Sequence, residues 1–267
     1  MKEIRFGDKA VDVLPPHGKV ELVDAMADDL DVVNAARVSF NKESDTLDES
    51  GEKLVAYLLR NSHGTPFEHN LFKFRVRAPI FVFREWHRHR IGISINEESG
   101  RYVELDTDFW LPDDEAVRIQ KGKPGHYRYE SVGEELVPDP HSKPMNTEID
   151  GESGIIQGGI PRGELVRKQM QSVYDHAEGT YKLLLEEGYA KEIARAVLPV
   201  GLFSTMIWSA NARSLMAFFT LRSAPDAQRE IRLYSHAMER LFAEVMPVTY
   251  NAFCEARGYE ISGEDDG

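Results

Sequence analysis

Cysteine is almost absent from this chain: Cys254 is the only one among 267 residues. An intrachain disulfide is therefore excluded, and so is a cysteine-rich metal site. Cys254 lies in Ala-Phe-Cys-Glu-Ala, a segment of helical character with no partner base close in sequence. A thiolate nucleophile needs an electropositive setting, which Glu255 beside it does not offer, so the residue reads as a packed thiol. Long apolar runs are lacking too. None approaches the roughly 18 residues of a membrane-spanning helix, so no membrane partner is expected. The opening Met-Lys-Glu-Ile-Arg-Phe has neither the basic segment nor the apolar stretch of a secretory leader, which predicts a cytoplasmic location. No Gly-x-Gly-x-x-Gly occurs, since Gly158, Gly159 and Gly163 do not fit it, and no internal repeat or low-complexity tract is present. Positive charge is outnumbered: 32 Lys and Arg against 45 Asp and Glu leave a net charge of −13. Such a surface repels nucleic acid over most of its area, so no nucleic-acid partner is expected.

What remains is ordinary for a globular protein, with 42% hydrophobic, 10% aromatic and 29% charged residues. Residues 19–25 read as a short strand, and 29–38 as a helix capped by Asp28 or Asp29 with Val32, Val33 and Ala36 apolar. Residues 54–59 belong to a second helix ending near 61–64. In 70–77, Phe72, Phe74 and Val76 alternate with Lys73, Arg75 and Arg77, predicting a half-buried strand with an antiparallel neighbour. Residues 104–162 are rich in Pro, Gly, Asp and Glu and read as a long irregular insertion with some local strand or helix. Helical period returns in 163–187, with Val166, Met170, Val173, Ala177, Tyr181 and Leu184 on one stripe and Gly188 as the stop. Further helices are predicted over 189–197, over 211–221, and after Pro225 through Ile231, Tyr234, Met238, Leu241 and Val245. An acidic, frayed tail closes the chain at about 259–267. Strands early and helices late give the α+β class, as a single domain over 1–267 with the insertion.

The chemistry concentrates in residues 84–102, where Arg84, Arg88, Arg90 and Arg101 stand with His87 and His89 in an otherwise acidic protein. Arginine forks match phosphate oxygens two at a time, and Ser99-Gly100-Arg101 adds a hydroxyl, a permissive backbone and another fork. Three readings are open. The segment can be a solvated basic face, although Trp86, Ile91, Ile93 and Ile95 call for burial. It can hold a metal through His87 and His89, which Arg88 between them would oppose. It can bind a phosphate or nucleotide. Two further segments carry candidates. His63 to Asn70 is a turn feeding the 70–77 strand, where a histidine serves as a structural hydrogen-bonder or as a catalyst. Arg195 and Arg222 sit at helix ends among apolar residues, where a guanidinium meets either a carboxylate or a ligand.

Three separated blocks resemble the flavin-dependent thymidylate synthases. They are His63-x-Thr-Pro-Phe-Glu-His69, Arg88-His-Arg90 with Ser99-Gly-Arg-Tyr102, and Glu192-Ile-Ala-Arg195 with Asn211-Ala-Arg-Ser-Leu-Met and Leu221-Arg222. The early Ala35-Ala-Arg-Val-Ser39 fits as well. The resemblance covers roughly 15–102 and 163–255 and leaves the insertion unmatched. It implies a twisted antiparallel sheet flanked by helices, and a homotetramer whose active sites combine residues of several subunits. It implies FAD contacts from Ser39, His63, Thr65, Glu68, Arg88, His89, Arg90, Glu97, Asn211 and Arg213. It implies a dUMP site from Glu85, Trp86, His87, Arg88, Glu97, Glu98, Ser99, Gly100, Arg101, Arg195 and Arg222. Arg222, Arg195 and Arg88 would act in catalysis, with Arg222 matching the arginine that stabilises negative charge on the uracil. The implied reaction methylates dUMP to dTMP. Methylenetetrahydrofolate gives the carbon, NADPH reduces FAD, a flavin hydride completes the methyl group, and tetrahydrofolate is released.

The chain departs from the family's usual pattern at three places. Eight residues rather than seven separate Arg90 from Ser99, so the loop at 91–94 should bulge. Where many members have glutamine, this chain has Glu85, whose carboxylate can only accept beside a dianionic substrate. Ala217 and Asp226 replace an asparagine and a histidine that often touch flavin. Rival readings are another flavin or nicotinamide oxidoreductase, against which the missing Gly-rich fingerprint counts, and a non-enzymatic nucleotide or RNA binder, against which the acidic balance counts.

Overall fold

The computed structural model describes residues 9–123, 126–133, 136–138, 145–149, 152–156 and 159–258, so the acidic tail expected at 259–267 lies outside the described residues. In chain order, β1 (Ala10–Asp12) and β2 (Lys19–Met26) lead to α1 (Asp29–Arg37) and α2 (Glu49–Arg60). Then come β3 (Leu71–Pro79), α3 (Ile80–Trp86) and β4 (Ile93–Glu97). Six short strands follow: β5 (Arg118–Lys123), β6 (His126–Ser131), β7 (Leu136–Pro138), β8 (Met145–Ile149), β9 (Glu152–Ile156) and β10 (Gly159–Pro161). Two helices, α4 (Arg162–Glu186) and α5 (Lys191–Ala194), precede β11 (Phe203–Asn211), α6 (Ala212–Arg222), α7 (Arg229–Val245) and α8 (Pro247–Arg257). Among the described residues no helix is long and apolar enough to cross a membrane.

Where the sequence predicts one domain, the described residues form two compact units. One takes the residues up to Ser99 and from Phe203 onward, and the other takes Gly100–Leu202. The first unit is an antiparallel sheet in the order β1-β2-β3-β11-β4, so the α+β class holds. Its apolar face is the alternation read from the sequence. Phe72, Phe74 and Val76 are buried while Lys73 and Arg75 are exposed, and Arg75 pairs with Glu21 across the strand at 3.1 Å. Met206, Trp208 and Ala210 of β11 continue that face. Helix α7 lays Ile231, Tyr234, Met238, Leu241 and Phe242 against the core, and the Phe72 and Phe242 rings lie 5.1 Å apart. Each such large apolar side chain contributes about 1.5–3 kcal/mol by burial.

Strand β11 corrects the order of strands before helices. Its apolar run sits between two helical readings, and its place beside β3 is a long-range pairing that local pattern does not carry. Helix α1 starts where expected: the Asp28 carboxylate accepts the Leu30 N–H at 2.7 Å.

In the second unit, the stretch expected to be irregular carries three antiparallel ladders, β5 with β6, β7 with β10, and β8 with β9. This unit reaches beyond 104–162 because α4 packs on the stretch leading into it. Phe109 stacks on Tyr174 at 4.5 Å, the Leu105 N–H donates to the Tyr181 hydroxyl at 3.0 Å, and Thr107 donates to Glu178 at 2.7 Å. The buried face of α4 is therefore Tyr174, Ala177 and Tyr181. Val173, placed on the inner stripe by periodicity, is 59% exposed because Tyr174 takes the inner position.

Candidate active site

Proline 79 ends β3 and opens α3, whose Val82, Phe83 and Trp86 are buried. The Trp86 indole is enclosed by Phe218 at 5.0 Å, Trp208 at 5.7 Å and Tyr234 at 5.9 Å. That corrects the expectation for Trp86. A fully buried indole belongs to the core and cannot offer its ring to a nucleotide, but it fixes the helix that presents its neighbours. The chain turns out of α3 through backbone bonds from His87 to Phe83 (2.8 Å) and from His89 to Trp86 (3.0 Å).

Beside this turn stands the last residue of α6. The Arg222 Nη1 donates to Glu85 Oε2 at 2.7 Å, Nη2 to the Glu85 carbonyl at 3.0 Å, and Nε to His89 Nε2 at 2.9 Å. Burial and the adjacent Arg222 cation hold the His89 imidazole far below its usual range, at about 4, so it is a neutral acceptor. The open question about Arg222 is thus answered on one side: it has a carboxylate partner. His87 points elsewhere, with Nε2 3.7 Å from Glu97, so the two histidines face different partners rather than a common ion.

A groove of about 650 Å³ runs from this turn along the start of α6, lined by Glu68, Arg88, His89, Arg90, Asn211, Arg213, Ser214 and Ala217. Its floor includes the loop at 91–94, expected to bulge. That loop does not merely bulge. Ser214 Oγ donates to the Ile91 carbonyl at 2.7 Å, and Asn211 caps α6 by accepting the Ser214 N–H at 2.8 Å. Gly92 has φ of +66°, and a Cβ there would stand 2.6 Å from both the Asn211 amide nitrogen and Ser214 Oγ. Only glycine permits so close a passage. From Ile93 the chain is already β4, paired with β11. Arg213 forms an ion pair with Glu68. Past Arg213 and Ala217 a smaller recess of about 220 Å³ is lined by Leu58, His63, Phe67, Met216, Phe253 and Arg257. The His63 ring stands edge-on to Tyr57 at 6.0 Å.

The structure thus brings together Glu68, Arg88, His89, Arg90, Asn211 and Arg213, with His63 in the adjoining recess. Ser39 and Thr65 do not line either hollow. Both are exposed, Ser39 in the short 3-10 helix Val38–Phe40 and Thr65 at the start of Thr65–His69. Asp226 is exposed, and Ala217 leaves open space in the groove wall where a longer side chain would stand. Glu97 ends β4 beside β11, and the N–H of Glu98, the next residue, donates to the Thr205 carbonyl at 2.8 Å. Cys254 is buried, and burial pushes its thiol up, as expected of a packed residue. Sequence reading missed Gly92, for which the eight residues between Arg90 and Ser99 were the available signal. It also missed Phe253 and Arg257, for which there was none.

The second unit holds its own group. Arg101 Nε donates to Glu192 Oε2 at 3.1 Å, an exposed pair. Arg195 closes α5 and opens the short 3-10 helix Arg195–Val197. Gly100 is buried beneath it: a Cβ there would meet the Leu105 side chain at 2.7 Å and Arg195 Cδ at 3.1 Å. Gly100, Arg101, Glu192 and Arg195 are therefore neighbours.

Residues 21–248 match the family described as thymidylate synthase complementing protein. The flavin-dependent thymidylate synthase of Streptomyces coelicolor is 44% identical over 246 residues, covering 88% of this chain and 89% of that protein. The enzyme of the same name from Thermotoga neapolitana is 40% identical over 236 residues, covering 88% and 90%. The crystal structure of the UMP/dUMP methylase PolB of Streptomyces cacaoi bound with 5-Br UMP is similar with a TM-score of 0.72, at 40% identity over 90% of this chain and 95% of that one.

Proposed function

The chain belongs to the flavin-dependent thymidylate synthase family, and we propose that it methylates dUMP to dTMP with methylenetetrahydrofolate, FAD and NADPH. The observation that carries this reading is the groove, which gathers polar residues of three separated sequence blocks on one surface. Its donor set fits a flavin dinucleotide: the Arg88, Arg90 and Arg213 forks suit pyrophosphate oxygens, and Asn211 suits ring acceptors. Its volume is within the ordinary range for such ligands. Glu68, Arg88, His89, Arg90, Asn211 and Arg213 would hold the flavin, with His63 in the adjoining recess. A flavin bound there and reduced by NADPH would supply hydride chemistry for dTMP formation, with methylenetetrahydrofolate as the carbon source and tetrahydrofolate as its product.

The chain's own part is positioning and charge. Arg101 and Ser99 bind the dUMP phosphate, with Gly100 and Arg195 beside them. Arg222 stabilises the negative charge that develops on the uracil, and a guanidinium does this without exchanging its proton. Glu85, expected among the dUMP contacts, stands beside Arg222. Arg88 serves flavin and nucleotide together. The reading includes a homotetramer with shared sites.

Purified protein should be yellow, bleach with NADPH, and form dTMP when dUMP and methylenetetrahydrofolate follow. UMP belongs beside dUMP in that assay, because PolB is a UMP/dUMP methylase. A protein that takes up no flavin and forms no methylated nucleotide from either would refute the proposal.

A further inference from the structure

Arg222 carries five N–H donors in a planar fork. Three are taken by the chain itself: two by Glu85, through its side chain and its carbonyl, and one by neutral His89. By count, one N–H on each terminal nitrogen is left for a ligand. The ion pair is sheltered, with the Arg222 side chain 16% and the Glu85 side chain 31% exposed, so it is held more firmly than a surface pair. The frame behind it is rigid. Phe218, one turn before Arg222 on α6, packs on Trp86 at 5.0 Å and edge-on to His89 at 4.9 Å. Glu85, Trp86 and His89 therefore grip one face of α6 at two successive turns.

We infer that Glu85 is a positioning residue: its carboxylate and carbonyl fix the orientation of the Arg222 guanidinium, and its negative charge loosens the site's grip on a nucleotide anion. The inference rests on the reading that Arg222 acts on the pyrimidine. The two halves of this role pull in opposite directions. A glutamine at this position keeps an acceptor oxygen for Arg222 and removes the charge. An alanine removes both, leaving only the backbone carbonyl.

The test measures dUMP affinity by calorimetry and the single-turnover rate of dTMP formation in Glu85→Gln, Glu85→Ala and Arg222→Ala. Glu85→Gln should bind dUMP about five-fold more tightly, as removal of one like charge near a surface allows. Its turnover should fall by about three-fold, and that of Glu85→Ala by about 30-fold, because a misaligned group is costly. Partial rescue by glutamine with tightened binding is a split that a merely structural residue would not give. Turnover equal in the alanine and glutamine variants, or dUMP affinity unchanged in both, would overturn the inference. Should Glu85→Ala not fold, the glutamine variant decides alone: unaltered affinity, or a turnover loss beyond ten-fold, sinks it. Wild-type turnover in Arg222→Ala removes the reading beneath and the inference with it. A dead Arg222→Ala beside unaffected Glu85 variants removes only the inference.

Discussion

The Nε of Arg222 lies 2.9 Å from Nε2 of His89 and donates to it, so the histidine must be unprotonated for the contact to exist. Burial and Arg222 hold His89 at about 4, against 6.5 for a free imidazole. In the unfolded chain it therefore takes up a proton at a pH where the folded chain does not. The resulting stability is complete above about pH 6.5, is lost as the pH falls towards 4, and changes no further below that. The contribution is about 1–3 kcal/mol. Thermal unfolding of the wild type beside His89→Gln checks it: the difference in midpoint should shrink between pH 7 and 4. A difference independent of pH would count against a neutral, buried His89.

Arg222→Ala should lose about 3–4 kcal/mol of transition-state stabilisation, roughly 10²–10³ in rate, by analogy with oxyanion donors. Bound flavin should remain and still be reduced by NADPH, while its reoxidation by dUMP and folate collapses. Arg222→Lys keeps the charge but cannot reach Glu85 and His89 with one planar group, so it should be impaired too. Normal dTMP formation in the alanine variant would leave Arg195 as the better candidate.

Arg101→Ala should raise the dUMP concentration needed by roughly 10–10²-fold, the worth of a charge-assisted contact of about 1.5–3 kcal/mol. Flavin content should stay near normal. Because Glu192 accepts from Arg101 at 3.1 Å, Glu192→Gln should move the dUMP requirement in the other direction. Loss of flavin with unchanged dUMP affinity would reassign Arg101.

Gly92→Val should cost flavin affinity. The left-handed backbone at Gly92 disfavours a branched residue by about 1–2 kcal/mol, and its Cβ has no room beside Asn211 and Ser214. Measured flavin content and thermal midpoint should both drop. A variant as yellow and as stable as the wild type would show that the loop floor is not part of the site.

Trims within 118–158 should leave a soluble, yellow protein, since β5 and β6 pair with each other rather than with the five-stranded sheet. Insolubility of several different trims would make this stretch structural.

Much of the site was legible in the chain because its chemistry is local. Arg88-His-Arg90, Asn211-Ala-Arg-Ser and the His63 block each sit on a turn or helix start that their own residues specify. The alternation of Phe72, Phe74 and Val76 gave β3, and the capping carboxylate of Asp28 gave the start of α1. Less of the second unit could be read, because its hairpins depend on pairing and its helix stripe was misjudged by one position at Val173.

Sequence by itself determined the α+β class, the helix boundaries around Arg222, and the arginine-rich blocks that line the groove. Tertiary structure decided what those residues face. Strand β11 entered the sheet through pairing with β3 and β4, bringing Asn211 and α6 to the loop at Gly92. Trp86 went to the core because an indole gains more from burial than from solvent. Glu85 met Arg222 across 137 positions of chain. No local pattern encodes that ion pair: it exists because aromatic packing of Trp86 on Phe218 fixes two distant helices side by side.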